Sequence, residues 1–288
     1  MVTSAAWAPR LMLGLALSGL LAILAFRRGA LTASGAAGAV LVGTMVFGFG
    51  GWIAGLALIA FFASSSFLSR IGAGAKAGAA ATQAKSSRRD LGQVLANGGV
   101  AALAAAGMAS TTPGTAAEGI LAAALIGALA TANADTWATE LGMLAGATPR
   151  LITTGRPVAA GVSGGVTVAG LAASLAGAAF IGVTAAALGW LGAQLVAPPP
   201  VWHNARLALI AVLAGAVGAT CDSILGATVQ AGYRCDTCQA ATERTLHSCG
   251  SRTRQVRGIR WLDNDWVNLL ATGGGSVLAA GLGTLWLA

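Results

Sequence analysis

The sequence predicts an all-α fold: a polytopic membrane helical bundle of about eight transmembrane helices, with N- and C-termini outside. Three observations carry that prediction. Of 288 residues, 56% are hydrophobic and only 9% are charged, and mean hydropathy is +0.76; soluble domains carry about 25% charged residues and cannot hide so much apolar surface. The 42 glycines fall inside apolar runs rather than in linkers, where they let helices approach closely in a bilayer. Those runs reach roughly 20 residues, the length that crosses a hydrocarbon core. The same composition excludes disordered, collagen-like and disulfide-scaffold chains.

The apolar runs fall at about 11–26, 36–48, 51–68, 93–110, 117–146, 159–196, 206–230 and 266–287. The first reads as a retained helix rather than a cleaved signal peptide, because Arg27 and Arg28 stand where a small-residue cleavage site belongs. The second is short and Gly-rich, while the fifth and sixth exceed one bilayer crossing. Fifteen of the 17 Lys and Arg residues lie in the loops that follow odd-numbered spans. These are Arg27 and Arg28; Arg70, Lys76, Lys85, Arg88 and Arg89; Arg150 and Arg156; and six between Arg234 and Arg260. Only Arg10 and Arg206 remain for the other side. The positive-inside bias therefore puts those loops in the cytoplasm and both termini outside, in the cell (inner) membrane. It also accounts for the net charge of +8, so no nucleic-acid partner is expected. Residues 1–288 read as a single membrane domain with cytoplasmic pieces at 69–92 and 231–265.

An ionisable side chain within a span costs about 2.5–3.5 kcal/mol on insertion scales, so each needs a reason. Asp135 and Glu140 lie in the cytoplasmic half of the fifth span, and Asp222 and Ser223 near the cytoplasmic end of the seventh. Gln93 and Asn97 open the fourth span; Asn264, Asp265 and Asn268 open the eighth. A single Asn or Thr usually makes an interhelical hydrogen bond. Three carboxylates and several amides at one depth instead predict a joint polar site. Asp135 and Glu140 are separated by i,i+5, about 140° around an ideal helix. Either the helix unwinds so that both reach one ion, or one binds metal while the other holds a basic side chain or a substrate group. Opposite charge lies next door. Lys85, Arg88 and Arg89 precede the fourth span, and Ser163-Gly164-Gly165 is expected to open the sixth with free N–H groups facing an anion. Carboxylates for Mg²⁺ with cations and helix ends for phosphates are the parts that phosphoryl transfer needs. No Walker motif or kinase-type Gly loop with its partner motifs is present.

The last cytoplasmic piece carries Cys235-Asp-Thr-Cys238 and His247-Ser-Cys249. Three thiolates and one imidazole form a structural zinc set, and on the reducing side disulfides are disfavoured. The alternative is unligated thiols in a basic loop. Its position beside the carboxylates leads us to expect that it folds over a bound nucleotide.

Five segments resemble those of one family: Lys85-x-x-Arg88-Arg89-Asp90-x-x-Gln93-x-x-x-Asn97-Gly98-Gly99, Ala134-Asp135-Thr136-x-x-x-Glu140-Leu141-Gly142, Gly161-Val-Ser-Gly-Gly-Val-Thr, Asp222-Ser223-x-x-Gly226-Ala227 and Asn264-Asp265-x-Val267-Asn268. They are similar to the integral-membrane family that holds the plant and cyanobacterial phytyl-phosphate kinases and transmembrane protein 19, over about residues 30–285. The resemblance implies a Mg²⁺-dependent kinase that moves a phosphoryl group from a nucleoside triphosphate, CTP foremost, to an isoprenyl monophosphate such as phytyl phosphate. It implies that Lys85, Arg88 and Arg89 grip phosphates. Asp135, Glu140 and Asp222 would then hold Mg²⁺ or orient the attacking group. The alternative from another class is a cation- or proton-coupled transporter or flippase using the same carboxylates. Such a protein is expected to carry polar residues through both halves of the membrane, whereas the outer half here holds little beyond Glu118 and His203. Oligomerisation, isoprenyl tail length and the donor nucleotide are left open.

Overall fold

The structure is a computed structural model and describes residues 7–72, 74, 76, 88–194 and 201–287. Seven long helices are present: α1 (Trp7–Arg27), α2 (Ala33–Arg70), α3 (Leu91–Met108), α4 (Ala116–Leu144), α5 (Val168–Ala193), α6 (Arg206–Thr228) and α7 (Asn264–Trp286). Each is long and apolar enough to cross a membrane. The 38 residues of α2 would span about 57 Å as a straight helix. Instead Arg70, its last residue, donates from Nη2 to the carbonyl of Arg28 at 3.2 Å, just before its first turn. The reversal occurs at Gly51, whose backbone is non-helical at φ 76°, ψ −175°. A Cβ added at Gly55 would sit 2.4 Å from the Phe47 ring, so the two arms lie against each other beside the turn. The runs expected at 36–48 and 51–68 are these two arms, joined without a loop, so the seven helices among the described residues correspond to the eight expected runs.

α4 is the axis of the bundle. Every residue from Ala122 to Ala134 is buried, as expected of a helix that is apolar on all sides, and α4 packs against α2, α3, α5, α6 and α7. Its Asn133 is held there by neighbours: Nδ2 donates to the Gly177 carbonyl at 2.7 Å, and Oδ1 accepts from Ser64 at 3.1 Å. That pairing is the interhelical hydrogen bond by which a polar residue is accommodated in a span.

The connections sort to two ends. At one end Trp7 touches Phe49, and Arg206 donates to the Trp286 carbonyl at 2.6 Å, so both described termini share it with the Gly51 turn. At the other end Leu31 bridges to Arg89, Lys76 meets Glu140 and Ser163 meets Glu243. All the described Lys and Arg residues except Arg10 and Arg206 lie at or near this second end.

The bundle is helical as expected, and short strands lie in its connections. β1 (Arg150–Leu151) pairs with β2 (Gly165–Val166), and β3 (Gly232–Cys235) is flanked by β4 (Ala240–Thr242) and β5 (Arg254–Arg257) in an antiparallel sheet. The polar stretch 232–257 has no apolar stripe at helical spacing, and its turns fall between short extended runs. The sixth span also starts later than expected. Gly161 and Gly164 adopt φ +85° and +81°, which a helix does not allow, and the N-cap of α5 is Thr167, whose hydroxyl accepts from Gly170 N at 2.9 Å. Ser163-Gly164-Gly165 therefore forms the ribbon before α5 and does not open the helix.

Candidate functional site

Of the four helices that begin at the basic end, three contribute their starts to the cavity, and their first turns are ordered by local hydrogen bonds. α3 starts with a capping box: the Asp90 carboxylate accepts from Gln93 N at 3.0 Å, while Gln93 Oε1 accepts from Asp90 N at 3.1 Å. α7 is capped by Asp263, which accepts from the backbone N–H groups of Asp265 and Trp266. α5 is capped by Thr167. Between these starts and the cytoplasm-expected ends of α4 and α6 lies a cavity of about 1180 Å³.

The cavity has a cationic side and an acidic side. Arg89 is pinned on the first: its backbone exchanges hydrogen bonds with Ala30 and Thr32, each 3.0 Å. Its Nη1 donates to Ser66 at 2.9 Å, and its guanidinium lies 5.6 Å from the Phe62 ring centroid. A Cβ at Gly35 would fall 2.0 Å from the Arg89 carbonyl, so this approach requires glycine there. Burial lowers the Arg89 pKa from its ordinary value, and the nearby Glu140 carboxylate opposes that shift. Glu140 has both oxygens engaged: Lys76 Nζ lies 2.5 Å from Oε2, and Ser69 donates to Oε1 at 2.5 Å. The side chains of Lys76 and Glu140 are only 5% and 15% exposed.

The acidic side is built around Asp222. Asp135 and Glu243 line the same cavity. The Asp222 Oδ2 is buried and finds no hydrogen-bond partner among the described residues. Thus α4 does not unwind to bring Asp135 and Glu140 together. Asp135 lines the cavity with Asp222 of α6, and Glu140 holds a basic side chain. Glu243 follows β4 and accepts hydrogen bonds from Ser163 and, at 3.0 Å, from Gln230 Nε2. Gly164 lets this ribbon approach α6; a Cβ there would lie 2.5 Å from that of Ala227.

The cavity brings together Arg89, Gln93, Asn97, Asp135, Glu140, Ser163, Gly164, Gly165, Asp222, Ser223, Asn264, Asp265 and Asn268. Two of these amides also shape the helix start, since Gln93 closes the capping box and Asn97 Nδ2 donates to the Gln93 carbonyl at 2.9 Å. Arg88 is not on the cavity wall; it is exposed, and its Nη2 donates to the Leu31 carbonyl at 3.2 Å. Lys85 lies outside the described residues. Sequence reasoning did not single out Lys76, Ser69, Glu243, Arg244 or Asp263, which also line the wall. A lysine in an Ala/Gly run and a glutamate in a polar loop carry no motif that would have marked them.

Beside the cavity, Cys235, Cys238, His247 and Cys249 place one ligand atom each within 4.8 Å of all the others. Tetrahedral zinc with Zn–S bonds of about 2.3 Å spaces two sulfurs roughly 3.8 Å apart. The Cys235 and Cys249 sulfurs are 3.7 Å apart, and His247 Nδ1 is 3.1 Å from Cys249 Sγ. Hydrogen bonds from Ser251 and then His247 lower the Cys249 thiol pKa to about 5. Cys238 is pushed up to about 11, chiefly by its hydrogen bond with Cys249. The cluster is compatible with a structural metal.

Seven long apolar helices among the described residues, closed around a charged cavity at one end, define a polytopic integral membrane protein. The chain belongs to the integral membrane protein family DUF92, whose model matches residues 16–276. It is 34% identical over 272 residues to Protein PGR of Arabidopsis thaliana, covering 91% of this chain and 92% of that one. It is 30% identical over 226 residues to the uncharacterized membrane protein MJ0933 of Methanocaldococcus jannaschii, covering 76% and 82% respectively. No solved structure matches the chain.

Proposed function

We propose that the protein is a membrane phosphotransferase that moves the terminal phosphoryl group of a nucleoside triphosphate, CTP foremost, onto an isoprenyl monophosphate such as phytyl phosphate. The observation that carries this reading is one cavity lined by both signs of charge, with Arg89 and Arg244 beside Asp135, Asp222 and Glu243. Its volume of about 1180 Å³ exceeds the roughly 300–1,000 Å³ of ordinary small-molecule sites, and so accommodates two phosphorylated groups. A position at the end of the spans suits an acceptor whose tail stays among apolar helices.

In the transfer, a non-bridging oxygen of the isoprenyl phosphate forms a bond to the γ-phosphorus. The bond from that phosphorus to the β–γ bridging oxygen breaks, and the nucleoside diphosphate leaves with the electron pair. A phosphate monoester has a second pKa of about 6, so near neutrality it supplies a deprotonated oxygen without a strong base. Positioning and charge neutralisation then supply most of the rate. Arg89 is held where a phosphate oxygen would be met by a fixed cation. The unpartnered Asp222 oxygen beside Asp135 fits a divalent cation, and these two carboxylates would hold Mg²⁺, which when bound screens the negative charge of the phosphates. Glu140 serves in this reading as the counter-ion of Lys76. Zinc at the four-residue thiolate and imidazole cluster completes it as a structural ion.

Purified protein given Mg²⁺, labelled CTP or ATP and phytyl, geranylgeranyl or farnesyl phosphate is expected to yield the labelled diphosphate. Asp135→Asn and Asp222→Asn are expected to cut turnover by about 100-fold or more while the protein remains inserted. Isoprenyl-phosphate flux across proteoliposomes without nucleotide turnover would replace this reading by the transport one.

A further inference from the structure

The thiolate and imidazole cluster and the acidic wall of the cavity are parts of one connected piece of chain. Glu243 and Arg244 lie between Cys238 and His247, a few residues from a cluster ligand on either side. β4 runs from the first of those ligands directly to Glu243, and its pairing with β3 ends at Tyr233 opposite Thr242. On the other flank, Thr253 Oγ1 donates to the Arg244 carbonyl at 2.6 Å and Thr253 N to the Thr245 carbonyl at 3.1 Å. The segment then continues into the cavity wall, where Glu243 accepts from the Ser163 hydroxyl and lines the cavity together with Asp222. From β5, Arg257 joins α6 to the same ribbon, donating to the carbonyls of Ala227 at 3.1 Å and Ser163 at 3.3 Å respectively.

A three-stranded sheet with strands of four, three and four residues has little apolar surface with which to fix its own shape, and cross-links or metals commonly serve in that role. Here the ligands lie on both sides of the very residues that face the cavity. We infer that Cys235, Cys238, His247 and Cys249 bind one zinc ion as a clamp that sets Glu243 and the 159–166 ribbon against Asp222, so that metal occupancy fixes the shape of the acidic wall. Glu243 acts as a positioning residue in this arrangement. Its role in turnover rests on the phosphotransferase reading; the clamp itself does not.

The test uses the full-length protein in detergent. About one zinc per chain is expected by elemental analysis, and cobalt(II) loaded in its place is expected to show the visible bands of a tetrahedral thiolate site. Cys238→Ser, at an exposed ligand, is expected to lose both. Chelation is expected to speed amide exchange in 232–257 and also in the separate 159–166 ribbon, with the buried 122–134 segment of α4 unchanged. Protein isolated without zinc that also takes up no cobalt would overturn the proposal, as would zinc removal that leaves exchange in 159–166 unmoved. If the protein transfers phosphate, Glu243→Gln is expected to keep its zinc while raising the Mg²⁺ needed for half-maximal rate roughly 10-fold. An unchanged Mg²⁺ requirement would remove the link from clamp to site. In protein that turns over no nucleotide, the zinc and exchange measurements decide the clamp alone, so the two readings fail separately.

Discussion

Lys76 and Glu140 form an enclosed ion pair, and their energetics follow from that burial. Removing one partner of such a pair leaves the other charge unmatched, at a cost of about 3–5 kcal/mol. Glu140→Gln is therefore expected to lower unfolding stability by that order, with most of it recovered in Glu140→Gln combined with Lys76→Met. Denaturation in detergent with both variants measures it, and an unchanged midpoint for Glu140→Gln would contradict it. The pair also marks the limit of what residue types disclose. Asp135, Glu140 and Asp222 are legible because a carboxylate inside an apolar run needs an explanation. Lys76 and Glu243 sit where charge is ordinary, so nothing in their surroundings distinguishes them. The spacing of Asp135 and Glu140 correctly left two arrangements open, and only the path of α2 and the residues after it decides between them.

Among the elements, α2 depends on one backbone conformation and α3 on one cap. Gly51 occupies a region of φ and ψ that is essentially glycine-only, and a Cβ there would meet nothing within 4 Å. Gly51→Ala is thus expected to destabilise through the backbone alone, by about 1–3 kcal/mol, with thermal unfolding as the measurement. Asp90 belongs to the motif that runs from Lys85 to Gly99, and its carboxylate is used in the capping box. Asp90→Ala is expected to cost about 1 kcal/mol of stability and Asp90→Ser much less. A serine variant as damaged as the alanine one would show that the charge has a further task. The sequence made the number of spans readable through their length. It did not disclose that Gly51 alone reverses α2, because glycines recur throughout these runs. It also misplaced the start of α5, since Ser163-Gly164-Gly165 has the composition of a helix entry, and only the positive φ of Gly164 removes it from the helix.

For the whole molecule, the unequal division of Lys and Arg between the two ends predicts orientation. Thr154 and Thr112 are exposed at the basic and opposite ends. A membrane-impermeant maleimide is expected to label Thr112→Cys on intact cells, and to label Thr154→Cys above the level of the native thiols only after permeabilisation. The reverse pattern would invert the topology and move the cavity to the outer surface. This is the scale at which the sequence was most informative: charge at one end and apolar residues elsewhere are properties of composition, whereas the shape of the cavity depends on loops and ribbons whose pairing no periodicity announces. The turn at Gly51 bears on how the chain enters the bilayer at all. From Met45 to Ala63 there is no charged, hydroxyl or amide side chain, so almost no hydrophilic cargo has to be dragged through the hydrocarbon between the two arms. They can partition from the translocon as a single folded wedge, and a charged residue introduced at Trp52 would tax that insertion step before it touched any finished contact.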